Sequence, residues 1–183
     1  MVDDQQIVKQ AQQGTRSAVA ALYHKHHAQV YRYIVYRVGD TVVADDLTAD
    51  VFVSMVKHID SYEDRGRPFL AWLYTIAGNV VKMHYRHQKA TEFEPLPDEM
   101  IDQYANPAEI AQTNMTHEQL IAAMPHLPEM QRQVILLKFI EGFSNREIAA
   151  MLGKKEGNIR VLQHRAILTL RQILTEEVQY GAV

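Results

Sequence analysis

The sequence contains no cysteine, which excludes disulfides, thiol nucleophiles, thiolate redox switches and cysteine-type zinc sites. It holds no run of about 18 apolar residues, so no membrane-spanning helix and no direct membrane insertion are expected. The opening, MVDDQQIVKQ, is acidic and polar where a secretory signal is basic and then apolar, and a cytoplasmic protein is expected. Strand-type alternation nowhere reaches useful length, and neither a glycine-rich phosphate loop nor a nucleophile motif is present. An excess of basic residues is also missing: Lys+Arg number 19 against 22 Asp+Glu, a net charge of −3.

Divided along the chain, that charge reads differently. Residues 1–90 carry 11 basic and 9 acidic side chains, residues 91–127 none and 7, and residues 128–183 carry 8 and 6. Two mildly basic blocks are thus joined by an acidic strap. Each block is suited to an anionic partner and the strap is not. The connector runs from about Gln88 to Asn114 and places Pro95, Pro97 and Pro107 among six acidic residues. X-Pro steps and self-repelling charge disfavour a packed helix there, beyond a turn after Pro107. The expected organisation is a first domain over 1–90, an acidic linker over 91–114 and a second domain over 115–183.

Everything outside the connector reads as helix, so the fold class is all-α. Periodicity predicts a helix from about Thr15 to Val38 (Leu22, Val30, Tyr33, Ile34, Val38 inward), stopped by Gly39-Asp40. It predicts a second from about Val42 to Ile59 (Ala44, Leu47, Val51, Met55, Ile59 inward), with Asp46 and Asp50 on its flank. A loop over 60–68 leads to a third, about Phe69 to His87, whose expected core face is Leu73, Ile76, Val80 and Met83. Opposite that stripe Thr75, Asn79, Lys82, Arg86 and Lys89 recur at three- or four-residue steps. Such a ridge suits a phosphate backbone, with Asn79 free to meet a base edge, although a merely solvated face has the same spacing. Trp72, Tyr74 and Tyr85, with Phe69, offer stacking surfaces for unpaired bases, though core packing is expected for at least two of them.

The second block begins with a helix opened by Leu127-Pro128 and carrying Val134, Ile135, Leu137 and Ile140, which ends near Glu141-Gly142. Ser144-Asn145-Arg146-Glu147 has the form of a capping box, with Ile148, Ala149 and Leu152 as its buried face and Gly153 as its stop. A longer helix, about Lys155 to Leu174, turns Ile159, Leu162, Ala166, Leu170 and Ile173 inward. A short helix, a glycine turn and a long second helix make the layout of a helix-turn-helix reader. On the outer face of the long helix, Lys155, Gly157, Asn158, Arg160, Val161, His164 and Arg165 are the groove candidates. Asn and Arg form bidentate base contacts, and Val meets a thymine methyl. Residues 144–173 hold six basic and two acidic side chains, a local balance that favours DNA.

Four segments, ALYHKHHAQVYRYIVYRVGD, ADDLTADVFVSMVKHI, RPFLAWLYTIAGNVVKMHYR and LPEMQRQVILLKFIEGFSNREIAAMLGKKEGNIRVLQHRA, together resemble the extracytoplasmic-function (ECF) sigma factors of bacterial RNA polymerase. These belong to the sigma-70 family. The match keeps the family's order over nearly the whole chain. The resemblance implies a promoter-recognition subunit with no enzymatic activity and no cofactor. Its first domain would bind the polymerase clamp and the minus-ten element, and its second the flap and the minus-thirty-five element. Core RNA polymerase, promoter DNA and an anti-sigma factor are the implied partners. By resemblance Asp46, Asp50 and Phe52 contact the polymerase. The 60–68 loop, with Arg65, and Asn79 form the pocket for a base flipped from the melted strand, flanked by Trp72, Lys82 and Arg86. The chain departs from the family's usual pattern at Ala49, often glutamine, and at Leu162-Gln163, commonly Arg-Leu.

Two alternatives stand beside this reading. A DNA-binding regulator would use only the C-terminal helix-turn-helix, but its first block would carry a receiver or a ligand pocket, and neither strands nor glycines for one are found. A metal site is suggested by the cluster His24, His26 and His27 and by His84 and His87. With no HExxH motif and no identifiable third ligand, no metal is expected.

Overall fold

The computed structural model describes residues 4–88 and 123–180, with side chains over 4–86 and 123–173. The acidic connector from Lys89 onward, the turn expected after Pro107 and the side chains of His87 and Leu174 lie outside the described residues. Contacts divide the chain into two compact units, Met1–Glu92 and Phe93–Val183. Among the described residues both are helical, with no strand.

The first unit contains α1 (Asp4–Gln12), α2 (Arg16–Val38), α3 (Thr41–His58), a 3₁₀ turn (Ile59–Ser61) and α4 (Phe69–Gln88). α2 packs against the other three helices, and α3 also packs on α4. The joint between α2 and α3 shows how the sequence sets these boundaries. Gly39 takes φ 74°, which only glycine adopts freely, and donates its N–H to Val35 O. Asp40 then caps α3, its carboxylate accepting from the N–H groups of Val42 (2.8 Å) and Val43 (3.0 Å). Such a cap contributes about 1 kcal/mol. Ala44, Leu47, Val51, Met55 and Ile59 are all buried, as the stripe predicted, and so are Leu22, Val30, Tyr33 and Ile34 of α2. Val38 is only half-buried.

Helix α1 has no boundaries set by the sequence reading, which takes this stretch as helical only in general. It buries Ile7, Val8 and Ala11, too few apolar positions to register as sustained periodicity. Its Asp4 carboxylate pairs with Lys25 Nζ (2.7 Å) and His26 Nε2 (3.2 Å) on α2.

The second unit has a 3₁₀ turn (Met124–His126), α5 (Glu129–Ile135), a π-helical stretch (Leu136–Ile140), α6 (Asn145–Leu152) and α7 (Glu156–Tyr180). Both α5 and α6 pack against α7. The unexpected π stretch has Glu141 N–H donating to Leu136 O at 3.1 Å, five residues back. It leaves Phe139 exposed while Phe143 is buried. Ile159, Leu162, Ala166 and Leu170 form the buried face of α7. Ile173 and Leu152 are half-buried.

Candidate nucleic-acid interfaces and an acidic helix face

The core face of α4 is rotated from the expected one. Leu73 is buried, but its companions are Tyr74, Ala77 and Val81, whereas Ile76 and Val80 are half-buried and Met83 is 58% exposed. Two residue types that a search for aliphatic stripes underweights account for the shift. Tyr74 packs its ring 4.6 Å from that of Tyr33, and Ala77 occupies little space at the contact. Tyr85 donates its hydroxyl to Arg37 O (2.8 Å), tying the far end of α4 to α2.

The ridge itself is where the sequence placed it: Asn79, Lys82 and Arg86 are exposed. Thr75 is half-buried, its hydroxyl donating back to Ala71 O. At 100° per residue Trp72, Ile76 and Met83 fall on the same side, so the ridge is apolar and cationic together. Of the aromatic residues, Tyr74 and Phe69 are core and Trp72 is half-exposed.

Trp72 connects the ridge to the preceding loop. Its ring lies 4.9 Å from Tyr62 and 5.3 Å from Phe69, and Tyr62 meets Phe69 edge-on at 5.2 Å. Burial raises the Tyr62 phenol above its ordinary range, with Asp64 and Asp4 adding to the shift. It therefore stays a neutral hydroxyl at neutral pH. Asp64 turns the loop by accepting from Gly66 N–H (2.8 Å), where φ is 71°. Arg65 pairs with Glu63 at 3.0 Å, both exposed, an arrangement worth little in water. Between α1 and this loop lies a recess of about 690 Å³ lined by Asp4, Gln12, Tyr62, Arg67 and Phe69 among others. Asn79 is not among its lining residues. Ten residues beyond Phe69, it sits about 15 Å further along the helix. Asn79 therefore lies apart from this recess, and Trp72, packed on Tyr62, falls between the two along α4.

On α3, Asp46 and Asp50 are exposed, with Asp45 and Ala49 beside them. Phe52 is not: it is 5% exposed, packed 4.8 Å from the ring of Tyr23 and 6.1 Å from that of His27. Its expected place on the contact surface is corrected, because the i, i+4 inward set of α3 extends one position round the helix to include it. The exposed apolar residues are instead Val42, Val53 and Val56. The available signal was that Val42, Val53 and Val56 fall outside the inward i, i+4 set.

In the second unit the capping box is complete. Ser144 Oγ accepts from Glu147 N–H (3.3 Å), and Ser144 N–H donates to Glu147 Oε2 (2.8 Å). Gly153 closes α6 at φ 63°. Lys155, just before α7, and Arg160 on it are exposed, and Asn158, Val161, His164 and Arg165 are half-exposed along the same outer side. Arg160 pairs with Glu156 at 2.8 Å. Of the departures from the family pattern, Ala49 is exposed, whereas both residues of the Leu162-Gln163 pair are internal. Leu162 is core, and Gln163, 2% exposed, exchanges two amide hydrogen bonds with Asn145, at 2.9 and 3.2 Å.

The histidines do not converge. His26 is buried between Asp4 and the ring of Phe69, while His24 and His27 flank Tyr23. Among the described residues no group of three or more His, Asp or Glu is placed to hold a metal, and no helix is long and apolar enough to cross a membrane.

These surfaces lie in segments that known families share. The Sigma-70 region 2 family matches residues 22–91, and Sigma-70, region 4 matches residues 117–170. The ECF RNA polymerase sigma factor BldN of Streptomyces coelicolor is 34% identical over 177 residues, covering 95% of this chain and 67% of that protein. Two solved structures share the fold. CnrH, in complex with the cytosolic domain of CnrY, has a TM-score of 0.69 at 24% identity over 95% of this chain and 98% of that one. RpoE from Bartonella quintana, in complex with the anti-sigma factor NepR, has a TM-score of 0.62 at 22% identity over 85% and 96%. With both regions matched in order and a relative at that identity aligned over 95% of this chain, the chain belongs to the ECF sigma factors of RNA polymerase, which are not enzymes.

Proposed function

We propose that this sigma factor acts in the cytoplasm, joins core RNA polymerase, and divides promoter reading between its units. Residues 1–90 would engage the polymerase and the minus-ten element, and residues 115–183 the minus-thirty-five element, with 91–114 as the acidic connector. The observation that carries this reading is the exposure of two cationic faces of different character. The α4 face mixes Asn79, Lys82 and Arg86 with the half-exposed Trp72 and the exposed Met83. That mixture suits unpaired bases, where stacking and phosphate contacts act together. The α7 face, with Lys155 at its entry, presents Asn158, Arg160, Val161, His164 and Arg165 behind a tightly capped α6, which suits a major groove. Arg65, exposed on the loop beside Trp72, completes the minus-ten surface.

The α3 face, with Asp46 and Asp50 between exposed valines, is the surface for the polymerase. Phe52 supports it from beneath. An anti-sigma factor is the expected inhibitory partner, in keeping with the NepR complex of a protein of the same fold. No cofactor enters this scheme.

The purified protein should comigrate with core polymerase in the absence of DNA, and the pair should give run-off transcripts from genomic promoters. Specific DNA binding without any association with polymerase would contradict the proposal. Within α7, Arg160→Ala should cost about 1 to 3 kcal/mol of promoter affinity and relax preference at one upstream position. Its exposed pair with Glu156 is no obstacle, since such pairs contribute about 0 to 1 kcal/mol. A loss uniform across sequences would make Arg160 a phosphate contact instead.

A further inference from the structure

Helix α1 is held at both ends by polar contacts. Near its start Asp4 reaches Lys25 and His26 on α2, and Gln5 donates to Asp64 in the loop. At its last residue, Gln12 Nε2 donates to two backbone carbonyls, Ile59 O and Tyr62 O, each at 2.9 Å. Both partners are acceptors, so only the amide nitrogen can occupy that position. The two carbonyls lie at either end of the 3₁₀ turn, where Tyr62 N–H already donates to Ile59 O. Gln12 therefore closes the turn from outside and fixes the backbone of Tyr62.

From there the contacts run to the candidate DNA surface. The Tyr62 ring lies against Phe69 and Trp72, and Trp72 shares the outer side of α4 with Asn79. A nine-residue helix with three buried apolar side chains has little stability of its own. Ile7, Val8 and Ala11 anchor it on α2, and the polar links join it to the 60–68 loop. We infer that α1 is a clasp on the 60–68 loop and that Gln12 is a positioning residue for promoter opening, acting through the turn and the Tyr62–Trp72 contact. The inference rests on the reading that the loop and the α4 face act on the minus-ten element.

The test uses the full chain with core polymerase. Gln12→Met keeps the size of the side chain and removes both donors. Open-complex formation on duplex promoter should slow about tenfold, while a template already mismatched at the minus-ten element should change by no more than about twofold. Association with core polymerase should be unchanged. In the free protein, hydrogen exchange should quicken at the Tyr62 and Gly66 amides and not at those of α3. Gln12→Asn, which withdraws the amide by one methylene, should show the same pattern in weaker form and serves if the methionine variant folds poorly. Equal losses on both templates, or unchanged exchange in the loop, would overturn the inference, since a merely structural defect lowers everything together. Asn79→Ala run in parallel separates the two levels. If it discriminates between templates and Gln12→Met does not, the clasp is wrong and the surface stands. If neither discriminates, the surface assignment falls and the clasp falls with it.

Discussion

Replacing Asn79 by alanine is expected to slow the opening of duplex promoter by about 10- to 100-fold, the range set by losing a bidentate base contact. Asn79 is exposed in mid-ridge, between Thr75 and Lys82 on one side and beside Ile76 and Met83 on the other. An amide placed there has both a donor and an acceptor to offer an extruded base, and apolar neighbours on which the base can rest. Extrusion itself costs a few kcal/mol of unstacking. A template mismatched at the minus-ten element has met that cost beforehand, so the variant should bind it much more nearly like the unaltered protein. Lys82→Ala should behave differently, weakening both templates alike and reducing the salt dependence by about one phosphate contact. Open-complex kinetics on the two templates at several salt concentrations measure both effects. Equal defects for Asn79→Ala would leave that residue as ordinary solvated surface.

The second large effect concerns stability. Ile159 is fully buried near the start of α7, and truncation to alanine at such a site removes about 2 to 5 kcal/mol. In a domain whose total stability is of order 5 to 15 kcal/mol, that is a large fraction. The melting temperature of the second unit should fall by roughly 10 °C or more, and minus-thirty-five recognition should disappear at temperatures the unaltered protein tolerates. The single tryptophan, Trp72, belongs to the first unit, so its fluorescence follows that unit alone. Circular dichroism should show the early loss of helix while the Trp72 transition stays in place. A tryptophan transition displaced by the same amount would mean that the two units unfold as one, against the proposed division of labour.

Local chemistry made some of this protein legible before its structure was known. Gly39-Asp40 marks a stop and a start within two residues, and the Ser144–Glu147 capping box announces α6, because each depends only on near neighbours. The i, i+4 set of α3 is equally plain because its inward residues are aliphatic. Where inward positions are filled by other residue types, the pattern misleads. On α4, Tyr74 and Ala77 took places assigned to Ile76 and Val80, and Met83 proved to be surface. Helix α1 was not singled out because only Ile7, Val8 and Ala11 mark its inward face and its polar ties, from Asp4, Gln5 and Gln12, reach residues about 20 to 60 positions away, which no window along the chain can register. Phe52 was assigned by likeness to other proteins rather than from its own surroundings. The π stretch over Leu136–Ile140 has no periodic signature of its own. Among the candidate site residues, the exposed ones on α4 and α7 were readable as faces, while the separation of Asn79 from the loop recess required the fold.

The amide pair between Asn145 and Gln163 bears on any attempt to redirect this protein to new promoters. Glutamine is chemically well suited to reading adenine, and a library built from sequence alone would vary position 163 as a code letter. Here both ends of that amide are engaged by Asn145 of α6, so its replacement is expected to disturb the packing of α6 on α7 rather than a single base contact. On the proposed reading of α7, Asn158, Arg160, Val161 and His164 are the positions at which specificity would be rewritten one base at a time, whereas Asn145 and Gln163 are better exchanged together, as a matched hinge between the two helices.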